Sequence, residues 1–146
     1  MRFEIDGKEY DLKLTFGNIY ELNKKYEGGS DAVIMACMQG DLELFVDAVY
    51  FGLMHTKQGF TRDKVMENIE KQFEAGKISQ EFIEELLNEV VAESSFYQNT
   101  TKKRRKQMKK QYLAKHPEAA ENPEMQEMLE DMFGKDEEQE NSPAKI

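Results

Sequence analysis

Two residue types that carry much of protein chemistry are nearly absent from this 146-residue chain: Cys37 is the single cysteine, and His55 and His116 are the two histidines. Cys37 and His55 fall on neighbouring predicted helices, so a thiol–imidazole nucleophile is the sharpest catalytic reading available. The plainer reading is a small core residue and a helix-end cation. We adopt it, because a lone cysteine behaves as a small hydrophobe. Glu84, Glu85 and Glu89 could present oxygen ligands to a divalent ion, yet the same spacing describes a solvated helix face. The glycines are scattered at turns, and neither GxGxxG nor GxxxxGK[ST] occurs, so no phosphate cradle is expected. The expectation is a protein that is not an enzyme, with no catalytic, metal-binding or cofactor-binding residues.

Two other features stand out. The first is a basic run, Lys102, Lys103, Arg104, Arg105, Lys106, Lys109 and Lys110, suited to docking on an acidic protein surface or on phosphates. Aromatics near it are sparse (Tyr97 and Tyr112), so base stacking is weakly supported and nucleic acid is not the expected partner. The second is a stripe of Met125, Met128, Leu129, Met132 and Phe133 at i, i+3, i+4, i+7 and i+8. Methionine adapts to several partners, and a short helix beyond a charged linker suits helix-in-groove binding. The plain alternatives are a basic run paired within the chain and a Met helix folded back onto the core.

These features sit in a chain whose net charge of −9 is unevenly distributed. Residues 1–95 carry 10 basic and 19 acidic side chains, residues 96–116 carry 8 basic and none acidic, and residues 117–146 carry 2 basic and 10 acidic. Alternating blocks of this kind predict a folded acidic body (1–95), a basic connector (96–116) and an acidic tail (117–146) with a short Met-rich helix. No apolar run approaches 18 residues, so no membrane span is expected, and the N-terminus lacks an apolar signal core. The simplest compartment is a reducing cytosol.

The body must begin with a hairpin. Asp6-Gly7 suits a two-residue type I′ turn, which pairs Ile5 with Lys8 and Phe3 with Tyr10. Phe3, Ile5, Tyr10, Leu12 and Leu14 then share one face. Helices follow, with predicted caps at Thr15, Ser30, Asp41, Thr61 and Ser79. Their apolar positions include Phe16, Ile19, Leu22 and Tyr26, then Val65, Met66, Ile69 and Phe73, then Phe82 to Val91. The segment after Asp41 is apolar on most sides and should be the central buried helix. The predicted fold is α+β, mainly α: an N-terminal β-hairpin packed on a bundle of about five helices, with a charged C-terminal extension. Ser94 to Thr101 reads as a polar linker, Asn122-Pro123 opens the last helix, Gly134 closes it, and the final KDEEQENSPAKI reads as disordered.

The opening FEIDGKEYDLKLTFGNIYELNKKY resembles the start of tail assembly chaperones from long-tailed, siphovirus-type phages of Gram-positive bacteria. The likeness covers about residues 1–95. It includes the DGKEY turn, the helix start TFG, the QGD turn (Gln39-Gly40-Asp41), and Tyr50, Gly52 and Leu53 followed by His55. It implies a protein that coats and solubilises the tape measure protein and helps recruit tail tube subunits. Such a protein works in the bacterial cytoplasm, self-associates, and is absent from the mature virion. Avidity from many copies and a hairpin edge open to strand addition fit that role. A small nucleic-acid-associated phage regulator using the basic run and a structural tail component remain the alternatives.

Overall fold

The structure is a computed structural model that describes residues 1–134; the terminal KDEEQENSPAKI, expected to be disordered, lies outside the described residues. Two strands, β1 (Arg2–Ile5) and β2 (Lys8–Asp11), precede seven described α-helices: α1 (Phe16–Lys25), α2 (Ser30–Met38), α3 (Leu42–Leu53), α4 (Arg62–Glu74), α5 (Gln80–Leu87), α6 (Gln98–Lys115) and α7 (Pro123–Phe133). The chain forms two compact units, Met1–Thr100 and Thr101–Ile146.

The hairpin has the register its turn demands. Ile5 pairs with Lys8 and Phe3 with Tyr10, and Asp6 (φ 50°) and Gly7 (φ 85°) both take the left-handed conformation of a type I′ turn. Phe3, Ile5 and Leu12 are buried together with residues of α1 to α5, which supplies the support an isolated hairpin lacks. Leu12 comes close to α3 because position 52 has no side chain. A methyl group at Gly52 would lie 3.2 Å from Leu12 Cβ and Cδ2, and Lys13 N–H donates to the Gly52 carbonyl at 3.0 Å. His55, just past α3, donates from Nε2 to the Asp11 carbonyl at 2.7 Å.

This contact gives a first expected result. Gly52→Val overpacks the hairpin–α3 junction and should lower stability by about 1–3 kcal/mol. Leu12→Ala in the same chain should recover part of the loss. A Gly52→Val chain with unchanged thermal unfolding would show that the close approach is not needed.

Four of the five predicted body caps form: Thr15, Asp41, Thr61 and Ser79 each accept from a backbone amide in the first turn. At Thr15 the cap is reciprocal, since Asn18 Oδ1 accepts from Thr15 N–H at 3.1 Å. Ser30 differs. It is the first residue of α2, behind Gly29, with no side-chain cap bond. Its Oγ instead accepts from Asn23 Nδ2 at 3.0 Å, so a helix–helix contact has taken the oxygen. Helix α5 runs into a π-helical turn over Asn88–Ala92, and Ile83, Leu86, Leu87, Val90 and Val91 are all buried.

Leu42, in the segment expected to be buried, is exposed, and so are three positions of the predicted apolar stripes. Phe16, Met66 and Phe73 keep their helical spacing but are exposed. Spacing identifies which side chains share a stripe; it does not say how much of the stripe a neighbour covers. The polar stretch 94–101 also differs from a linker. Tyr97 is fully buried, packs edge-on to Phe96, and donates from its hydroxyl to Asn23 Oδ1.

Helix α3 carries the one buried ion-pair centre among the described residues. Asp47 is fully buried. Its Oδ2 accepts from Lys25 Nζ at 2.7 Å and its Oδ1 from Arg62 Nη1 at 2.6 Å. The Arg62 guanidinium also lies 4.6 Å from the Tyr50 ring centroid, so α1, α3 and α4 meet at one charge.

Candidate partner-binding surfaces

The residues that could have done chemistry are used otherwise. Cys37 is buried, with Sγ 3.9 Å from the Leu87 carbonyl, and burial pushes its thiol pKa up to about 12. A thiol so protonated is a poor nucleophile at neutral pH. His55 serves the hairpin contact described above. Glu84, Glu85 and Glu89 are exposed. Among the described residues no group of three His, Cys, Asp or Glu side chains could hold a metal ion. No described helix is long and apolar enough to cross a membrane.

Several large apolar side chains of the first unit are exposed. Phe16 is 74% exposed, Phe73 65% and Leu42 64%. Tyr20 stands one turn beyond Phe16, and Met66 and Phe73 share a face of α4. Helical spacing does not distinguish these from buried positions, so their exposure emerges only from the structure. A second feature it did not single out is a groove of about 370 Å³ at the end of α3, lined by Tyr50, Leu53, Met54, Lys57, Gly59 and Phe60. Its signal was present as an aromatic-rich helix end followed by Gly59-Phe60. The ring of Phe60 packs edge-on against Tyr10 at 5.1 Å.

Each hairpin edge is held at one strand carbonyl. On the β1 side, Gln72 Nε2 donates to the Glu4 carbonyl at 2.8 Å and Asp6 N–H donates to Asn68 Oδ1 at 2.9 Å. On the β2 side, the Asp11 carbonyl and the Lys13 amide are held by His55 and Gly52. A third strand at either edge would compete for the Glu4 or the Asp11 carbonyl.

The same region gives a pH expectation. Lys64 Nζ lies 3.1 Å from Asp6 Oδ2, and Asn68 Nδ2 donates to Asp6 Oδ1 at 3.3 Å. The Lys64 bond first, then the Asn68 bond, hold the Asp6 carboxyl below its ordinary value. A carboxyl with a lowered folded pKa adds stability above the unfolded value of about 3.9, and loses it as pH falls through the folded one. Asp6→Asn keeps an Asn-Gly turn and removes the titration. Its stability should therefore fall less steeply than wild type below about pH 4. Parallel acid limbs in urea titrations would overturn this.

In the second unit the expected stripe divides. Leu129 is buried and Met125 and Phe133 are half-buried, whereas Met128 is 43% and Met132 55% exposed. Phe133 meets Tyr112 of α6 at 6.4 Å between ring centroids, so one side of α7 turns inward and two methionines turn out. Asn122 caps α7, Pro123 follows it and Gly134 ends it. The basic run lies on α6, with Lys102, Lys103, Lys106 and Lys110 exposed and Arg104, Arg105 and Lys109 half-buried. Five consecutive cations, Lys102 to Lys106, cover more than one helical turn, so the charge surrounds the helix rather than forming a stripe.

A hairpin buttressed by helices, with apolar side chains standing on an acidic surface, defines a protein of contact surfaces. The comparison with protein families makes this specific: the model described as "Phage tail assembly chaperone protein, TAC" matches residues 2–109. The chain belongs to the phage tail assembly chaperone family, and the family's role is a non-catalytic one. The match runs past residue 95 and takes in the basic run up to Lys109. No curated protein and no solved structure matches the chain.

The family motifs now have physical reasons. DGKEY makes the type I′ turn. TFG supplies the Thr15 cap. In QGD, Gly40 takes φ 65° and Asp41 caps α3. Gly52 and His55 anchor β2.

Proposed function

We propose that this chaperone coats and solubilises the tape measure protein of a long-tailed phage of a Gram-positive host, and helps recruit tail tube subunits during tail morphogenesis. It acts in the host cytoplasm, self-associates along the client, and is left out of the mature virion. The observation that carries the reading is the exposed apolar set Phe16, Leu42 and Phe73 on a chain of net charge −9, within a family of tail assembly chaperones. Such side chains offer weak apolar contacts, many copies supply avidity, and like charge keeps loaded copies soluble.

The test is co-expression with the large helical protein encoded just downstream, followed by size-exclusion chromatography with light scattering. Recovery of that protein as a soluble complex with several copies of this chain supports the reading. If it stays insoluble while this chain elutes alone, the reading fails, and salt-dependent DNA binding by Lys102 to Lys110 becomes the measurement to make. Deleting residues 123–134 asks whether the outward methionines contribute. Unchanged client solubility would remove α7 from client binding.

A further inference from the structure

The groove at the end of α3 and the outward face of α7 complement each other. The groove floor is apolar, built from Tyr50, Leu53, Met54 and Phe60, with Lys57 on its rim. Between Met54 and Thr61 the chain has one lysine, Lys57, and no acidic residue. This is a locally positive apolar spot on a body that is otherwise acidic. Helix α7 has the opposite character. Met128 and Met132 project one turn apart, with Glu124 and Asp131 flanking them on the same side of the helix. Residues 117–134 hold six acidic side chains and no basic one. Methionine is flexible enough to fill a groove of irregular shape.

We infer that α7 of one copy lays Met128 and Met132 into the Tyr50–Phe60 groove of a second copy, with Lys57 meeting Glu124 and Asp131. The Tyr50–Phe60 groove and the methionine pair lie on different elements of each copy. The contact is therefore heterologous and adds copies head to tail rather than closing a symmetric pair. An open chain of this kind grows to whatever length is needed. The inference concerns the chain alone and needs no client, so it stands or fails separately from the tape measure reading.

The test is light scattering of the full chain from micromolar to near-millimolar concentration. The weight-average mass should rise above the 17.0 kDa of one chain as concentration increases. Met128→Asp with Met132→Asp should hold the mass at one chain, and so should Met54→Asp on the groove side. Met54 also accepts a contact from Asn18 Nδ2 at 3.1 Å, so Lys57→Glu, on an exposed side chain outside the described ion pairs, is the second groove variant. It should weaken association by roughly tenfold with the thermal midpoint unchanged. The decisive arm mixes Met54→Asp chains with Met128→Asp/Met132→Asp chains. One intact groove and one intact methionine pair remain between them, so a two-chain species should form and nothing larger. A monomeric wild type, variants that associate like wild type, or a mixture that stays at one chain would each overturn the inference. The last result would also follow if α7 seats only within its own chain.

Discussion

Replacing Lys25 and Arg62 together by methionine is expected to lower the unfolding free energy by about 3–5 kcal/mol, the effect of leaving a buried carboxylate without a counter-charge. Asp47 is fully buried, and its two oxygens are held by those two cations at 2.7 and 2.6 Å. Either cation alone still pairs the carboxylate, so each single substitution should lose markedly less than half of the double loss. Arg62→Met should exceed Lys25→Met, because it also removes the guanidinium from the face of Tyr50. Adding Asp47→Leu to the double variant should restore most of the stability, since an apolar side chain has no charge to desolvate. Urea denaturation of the four variants beside wild type decides the matter. A double variant within about 1 kcal/mol of wild type would place these bonds with ordinary surface pairs.

Ending the chain at residue 95 is expected to be nearly as damaging. Tyr97 is fully buried among residues of α1 to α5, and its hydroxyl satisfies Asn23. A chain of residues 1–95 loses the ring and leaves Asn23 Oδ1 without that donor. It should be about 3–5 kcal/mol less stable than a chain of residues 1–100. Tyr97→Ala in the full chain should reproduce most of this. Tyr97→Phe should cost only about 1–2 kcal/mol, the share of the hydroxyl. Equal midpoints for the two truncated chains would show that Tyr97 only rests on the body.

The difference between what was legible and what was not follows the range of the forces involved. The hairpin register, the Thr15, Asp41, Thr61 and Ser79 caps and the opening of α7 depend on neighbours within a few residues, so residue order alone specifies them. Ser30 lost its cap because a residue on another helix competed for its oxygen. Tyr97 was hidden by its polar neighbours, since one adjacent aromatic pair, Phe96-Tyr97, in such a run gives no periodicity. Asp47 had a readable signal, a single carboxylate inside LFVDAVYF, but its partners lie 22 and 15 residues away. The surfaces were the least legible part. Phe16, Met66 and Phe73 have the spacing of core residues, and only the three-dimensional extent of their neighbours leaves them exposed. The methionine stripe was visible as a whole, while its division into an inward and an outward side depended on where α6 lies.

The way the hairpin is secured also sets an order of events during synthesis. Of the described elements the hairpin leaves the ribosome first, and its turn can close within microseconds. Yet two strands alone are marginal in water. The groups that fasten them arrive late: Gly52 and His55 for β2, then Asn68 and Gln72 for β1, the last reaching back 68 residues to Glu4. At about 5–20 residues per second, the strands wait several seconds for those partners. During that interval the hairpin lacks the bonds that fasten it in the finished fold. The nascent chain is thus most vulnerable before α4 is complete, and the completion of α4 closes that window.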